Sequence, residues 1–570
     1  MSTASTQTLS QLAERYWQFL REENPPIALS AGQPHGDELL RESPEDHARR
    51  ARACQGFLDE LAPTDANALT PADRATLLLM RHELTLAIEG YNIDAHLRPS
   101  LFPLGPEFVL AYVANTMALL SVVDAEAWLA RLASVPKGLT GLQALLRAGL
   151  GAGIRTPHIV LERALGNVRG QLTPDPSASP FHSPFLRAKG RDAGIDALAE
   201  RSLVLVRDHV FPALVGYAQF IEQVLMPQAR DSLACSDAPH GQAFYAHLIR
   251  RYATVDDSPE TIHALGLAEV GRLEAETAAV AAAAGFPNDL AGFRASLKLP
   301  DQFAASGEAL REQIEVLHKR IEAKLPAFIG NLPRITYGVQ SIPEAVAHRM
   351  PPAYAQPNPA DRTAPGVHWL TSIPTMCPRY MHIPLALHEA WPGHLMHLAL
   401  IQEQEHLPAF RRYGALGYSA CIEGWALYCE RLGEEMSLYD TPQKRYGPIE
   451  MEMWRAVRLV VDTGLHAKGW TRQQAIDFAA AHLALPMATI EVEIDRYIAM
   501  PAQALAYQLG NLKIRALRKK AHQRLGERFK LRDFHDALMA CGPVTLPILE
   551  ALMLDWVEKQ AAADPAHARR

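Results

Sequence analysis

The segment His388-Glu389-Ala390-Trp391-Pro392-Gly393-His394 holds the residue types that hydrolytic zinc sites use. Two neutral imidazoles can hold a metal ion. The glutamate beside the first can stay off the ion and take a proton from bound water. The usual spacing, H-E-x-x-H, puts both histidines on one face of a helix, one turn apart. Here His394 follows His388 by six positions rather than four. At about 100° per residue, six positions turn a side chain by roughly 600°, or about 240° past a full turn, so a regular helix would point the rings apart. Pro392 changes that expectation, because it has no N–H for the carbonyl of His388 and its ring clashes with that carbonyl. The helix is expected to break here, with Gly393 taking up the unusual backbone and His394 returning to the ion.

Three further segments could complete such a site. Cys421 to Glu430 reads as a helix with Glu423 as third ligand, and Glu430, on the same face, could orient a ligating histidine. Between Trp454 and Trp470, Arg458, Asp462 and His466 recur every fourth residue and form one stripe. An Asp–His pair set this way can hold an imidazole to stabilise an oxyanion; a structural salt-bridge stripe is the competing reading. In Arg496 to Tyr507, either Tyr497 or Tyr507 could donate a hydrogen bond to a tetrahedral intermediate, although core packing is the stronger reading for each tyrosine taken singly. Arg379, Arg458 and Arg496 are candidates to grip a substrate carboxylate.

The elements that must position these residues are helices. Gly194 to Ala229 carries apolar residues at mixed spacings of three and four, with Pro212 as the expected kink. Ser258-Pro259-Glu260 opens a helix that should stop near Gly285, and Glu308 to Lys324 is another. The best strand candidate is Val367 to Thr371. Proline-rich stretches at Thr173–Pro184 and Pro351–Pro365 cannot be helix interiors, and the second should lie close to the site. Gly149 to Gly153 reads as a helix–helix turn rather than a phosphate cradle, since no strand precedes it. The expected organisation is an N-terminal helical half, 1–185, a metal-bearing half, 186–565, forming one integrated unit with it, and a tail, 566–570.

The 570 residues are 48% hydrophobic, enough for a large core, and a net charge of −7 supplies no basic footprint for nucleic acid. The six cysteines lack the paired spacing of a disulfide framework or a zinc knuckle. The most apolar run, Phe108 to Val123, is short for a membrane span and reads as one core helix. The first residues lack the basic and apolar regions of a secretory signal. The default is therefore a cytoplasmic protein with no membrane partner and an open oligomeric state, a homodimer among the alternatives.

Together, the four segments resemble the DUF885 family, a bacterial group placed among zincin-like, gluzincin-type metallopeptidases. Its pattern is H-E-G-x-P-G-H-H, E-G-W-A-x-Y, D-T-G-x-H with a following W, and W-P-G-Q-A-x-x-Y. This chain has His388 to His394, Glu423-Gly424-Trp425-Ala426-Leu427-Tyr428, Asp462-Thr463-Gly464-Leu465-His466 with Trp470, and Met500-Pro501-Ala502-Gln503-Ala504 with Tyr507. It departs from the pattern at Leu395, where the family has a second histidine, and at Ala390 and Ala502. His397 is the substitute held in reserve should the missing histidine be a ligand. The resemblance implies a mainly helical, zincin-like fold with a deep cleft and at most a small sheet near the site.

The resulting expectation is a zinc-dependent metallopeptidase acting on short peptides, of carboxypeptidase or dipeptidase type. His388, His394 and Glu423 would hold one zinc ion, Glu389 would activate water, and His466 with a tyrosine would stabilise the oxyanion. The alternatives are a metal-dependent hydrolase of non-peptide amides or esters, and a degenerate helical scaffold that binds peptides without catalysis.

Overall fold

A computed structural model describes residues 2–32, 36–348, 350–414 and 417–563. The expected tail at 566–570 lies outside them. The chain is mostly helical with one small three-stranded sheet.

Helix starts follow their sequence signals. Ser43 and Ser121 each form a reciprocal capping box with an aspartate three residues on, opening helices Pro44–Leu61 and Val122–Gly151. Ser258 caps α1, Pro259–Ala283, which stops just before Gly285 at φ 91°. The helix expected over Glu308 to Lys324 spans Gly307–Glu322. The kink expected near Pro212 takes the form of wide turns: Ala193–Leu205 and Phe211–Phe220 are joined through Val206–Val210, where the N–H of Phe211 reaches back to the carbonyl of Val206. A widened turn releases the carbonyl that proline cannot serve.

The run Phe108–Val123 is not the single core helix expected. Helix Pro106–Thr116 ends within it and Ser121 caps a second, while Phe108, Tyr112, Leu120 and Val123 are exposed. The cap at Ser121 outweighs apolar continuity. Among the described residues no helix is long and apolar enough to cross a membrane.

The sheet comprises β1 (Tyr337–Ser341), β2 (Ala353–Gln356) and β3 (Gly366–Leu370), with β3 central, parallel to β1 and antiparallel to β2. Val367, His368 and Leu370 of β3 are buried. The sheet packs beside α2 (Arg379–Glu389) and α3 (His394–Glu403). Then follow α4 (Ser419–Glu435), α5 (Pro442–Ala467), α6 (Met487–Ala499) and α7 (Ala506–Leu525). α5 is buried along nearly its whole length and packs along α1, while α4 packs along α7.

The α4–α7 contact is close because two glycines face each other. A Cβ on Gly510 would stand 2.0 Å from the carbonyl oxygen of Ala420, and one on Gly424 2.5 Å from the backbone of Gly510. The largest apolar cluster takes Trp128 and Leu142 from the first part of the chain and Tyr446, Val457 and Ile494 from the second. A second cluster joins Trp17 to Trp425 and Ile514.

Candidate metal centre

His388 and Glu389 close α2, and His394 opens α3. The backbone between them is irregular, with Ala390 at ψ −125° and Gly393 at ψ −133°. Gly393 lies so close to the end of α2 that an added Cβ would stand 2.0 Å from the carbonyl oxygen of His388 and 2.4 Å from that of Leu387. Only a residue without Cβ permits this approach. From α4, the indole N–H of Trp425 donates to the carbonyl of Pro392 at 2.8 Å and ties the connection in place. The helix is therefore broken at Pro392, and the break brings the His388 and His394 rings edge to face, with centroids 4.7 Å apart.

Glu423 of α4 completes a cluster. Its Oε2 is 3.2 Å from His394 Nε2 and 3.5 Å from His388 Nε2. One atom from each of the three residues lies within 4.8 Å of the others. Oε2 is buried yet has no aligned hydrogen bond. Two ligand atoms about 2.0–2.1 Å from one tetrahedral ion would lie roughly 3.3 Å apart. A buried, unpartnered carboxylate oxygen at that spacing from two imidazole nitrogens is what an ion-binding triad requires. The cluster could hold a metal ion.

The second carboxylate of α4 holds the first histidine from behind. Glu430, fully buried, has Oε1 2.8 Å from His388 Nδ1, which leaves Nε2 facing Glu423. Burial lowers the His388 pKa, but Glu423, Glu430 and Glu389 more than offset it and raise it to about 9. Burial raises the Glu423 carboxyl, and the two imidazoles bring it well below the ordinary range. Replacing Glu430 with Gln should weaken metal affinity roughly 10–100-fold, read by competition with a chromogenic chelator. An unchanged affinity would remove Glu430 from the site.

Glu389 is 9% exposed and makes no hydrogen bond or ion pair with the described residues. Leu395, in place of the family's second histidine, points elsewhere and packs on Gly366 of β3. His397, the reserve ligand, is buried outside the triad beside Trp425, and neither ring nitrogen has a hydrogen-bond partner. Burial and the nearby His394 push its pKa down to about 3.

The remaining expected residues divide. Tyr507, half-buried, stands near Glu423: burial and the Glu423 carboxylate both raise its phenol. Its ring stacks under the Arg458 guanidinium at 4.6 Å. Tyr497 is saturated, its hydroxyl accepting from Arg458 Nε and Trp454 Nε1 and donating to Glu493 Oε2. Arg496 is held by Glu493 and by Gln503.

Two expectations need correction. His466 does not pair with Asp462 and has no nitrogen to spare for an oxyanion. Its Nδ1 accepts from the backbone N–H of Cys235 and its Nε2 bonds the carbonyl of Tyr497. Asp462 instead accepts from the Tyr245 hydroxyl and the Ala502 N–H. Arg379 is exposed at the far end of α2, where it donates to the carbonyls of Asp301 and Phe303 and to Gln313. It fastens a loop away from the triad.

Two polar residues beside the site were missed. Arg455 is buried, with Nη2 3.9 Å from Glu430 Oε1 and its guanidinium against Trp454 and Tyr507. Glu493 is held down to about 2, burial being outweighed by Arg496 and Arg458. Its spacing of three and four before Arg496 and Tyr497 was a usable helical signal.

Comparison with known proteins places these features. A search of curated proteins finds no match. A solved structure described as "the putative lipoprotein from Colwellia psychrerythraea" superposes with a TM-score of 0.91 at 26% identity, covering 97% of this chain and 99% of that one. Another, "a putative lipoprotein of unknown function from Shewanella oneidensis", has a TM-score of 0.74 at 16% identity, covering 96% and 99%, and shares the fold. These relatives overturn the expectation of a cytoplasmic protein with no membrane partner. The physical reason is that an acyl anchor needs no apolar helix, so neither composition nor the lack of a spanning segment bears on it. Residues 25–553 match the family described as bacterial protein of unknown function, DUF885, and the chain belongs to that family.

Proposed function

We propose that the chain is a metal-dependent hydrolase of amide or ester bonds, with zinc as the fitting ion and short peptides as the first substrate class to try. The observation that carries this reading is the buried, unpartnered Glu423 Oε2 facing two imidazole nitrogens at 3.2 and 3.5 Å. Two histidines and one glutamate form a donor set suited to zinc. When bound, the ion would polarise the substrate carbonyl and make bound water more acidic.

The protein's own groups take the remaining roles. Glu389, free of partners, accepts the proton of the attacking water and passes it to the leaving group. Tyr507 donates its phenolic hydrogen to the oxygen on which charge develops. Tyr497 holds Arg458, and Glu430 holds His388. Of the three arginines first considered, Arg458 alone keeps a buried nitrogen, Nη1, without a hydrogen-bond partner. It remains the candidate anchor for a substrate carboxylate, which would favour cleavage near a peptide terminus. A zincin-type cleft belongs to the same reading.

The test is elemental analysis of the purified protein, then digestion of a peptide library and of aryl esters before and after chelation. About one zinc per chain, activity lost on chelation and restored by zinc, is the expected result. A protein that binds no divalent ion would overturn the proposal, and would leave the non-catalytic scaffold in its place.

A further inference from the structure

A cavity of about 100 Å³ lies apart from the metal triad, at the junction of the helices before Gly170 with the end of α6. By the measure in which one water needs about 10–15 Å³, it has room for a ligand of several heavy atoms. Leu150, Phe244 and Pro501 supply apolar wall, and neither Glu389 nor any triad residue lines it. Three arginines, Arg98, Arg155 and Arg230, also line it.

The Asp94 and Asp237 carboxylates act on Arg98 and Arg230 from nearby without pairing with them. None of the three forms an ion pair with a described carboxylate; their hydrogen bonds run mainly to backbone carbonyls. Arg98 donates to those of Ile93, Asp94 and Pro239, and Arg230 to those of Arg155, Ser232 and Ala234. Arg155 donates through Nη1 to Leu150, leaving Nε and Nη2 without a partner among the described residues. Arg98 Nε is buried and likewise unpartnered. Burial lowers the pKa of both Arg98 and Arg230. All three arginines are half-buried, and three guanidinium groups around one partly apolar recess favour an anion there.

We propose that this cavity is a binding site for a small organic carboxylate with a compact apolar body. The free Nε and Nη2 edge of Arg155 matches a planar carboxylate in bidentate fashion, which selects it over a neutral polar group. The leucine, phenylalanine and proline wall accepts the body.

Benzoate is a suitable probe. It should raise the melting temperature of the full chain saturably, and calorimetry should give one site. Benzamide, of nearly the same shape but neutral, should bind roughly tenfold more weakly or worse. Arg155→Met should weaken benzoate binding by roughly 10–100-fold. Arg155→Lys, which keeps the charge and loses the fork, should also weaken it and guards against a folding defect in the first variant. His394→Ala should leave it unchanged, because the cavity lies outside the triad. No saturable binding, equal affinity for benzamide, or wild-type affinity in both Arg155 variants would overturn the assignment. Loss of binding in His394→Ala would overturn it too, by placing the anion on the metal site.

Discussion

Glu389→Gln is expected to lower turnover roughly 10²–10⁴-fold while the metal content stays at the wild-type level. The side chain follows His388 directly at the end of α2, is largely buried, and makes no hydrogen bond or ion pair with the described residues. A carboxylate with its lone pairs uncommitted can accept a proton from a nearby water, whereas an amide of the same shape cannot. Since the ion would be held by His388, His394 and Glu423, the change should not touch affinity. Steady-state rates beside elemental analysis separate the two effects. Full activity in the variant would exclude Glu389 as the base, and loss of the ion would mean that it ligates instead.

Gly393→Ala is expected to abolish stoichiometric metal binding and cost roughly 2–5 kcal/mol of stability. The new Cβ would meet two backbone carbonyl oxygens, of His388 and Leu387, at 2.0 and 2.4 Å. Backbone cannot swing aside as a flexible side chain can, so the start of α3 must move, and His394 is its first residue. The Trp425 bond to Pro392 holds the other side of the connection and limits how smoothly it can adjust. Thermal unfolding gives the stability and elemental analysis the ion; circular dichroism checks that the helices persist. A variant that holds zinc at wild-type affinity and melts at the wild-type temperature would contradict the close approach.

The two changes probe different levels of one arrangement. The first removes a chemical group from a site whose geometry is intact. The second leaves every chemical group and moves one ligand, so that activity should fall because the ion is gone. Glu430→Gln sits between them, loosening the support of His388 while keeping all three proposed ligands.

What the sequence by itself determined is what local stereochemistry controls. Proline and glycine together inside the six-residue spacing disfavour regular helix, and the chain breaks there. Ser258 before Pro259 starts a helix, and the β-branched and aromatic run at Val367 makes a strand. The spacing of Glu423 and Glu430 put both on one face of α4, and both meet His388. The partners of buried polar groups were decided by tertiary structure alone. The Asp462–His466 stripe looked like a catalytic pair, yet each residue turned to a backbone group or tyrosine brought in from elsewhere: Cys235, Tyr497, Tyr245 and Ala502. Arg379 and Arg458 are alike in sequence, but one fastens a surface loop and the other lies buried against Tyr507. Periodicity says which face of its own helix a side chain occupies. It carries no information about which distant loop supplies the hydrogen bond that a buried group must have, and that bond decides whether the group remains free for chemistry.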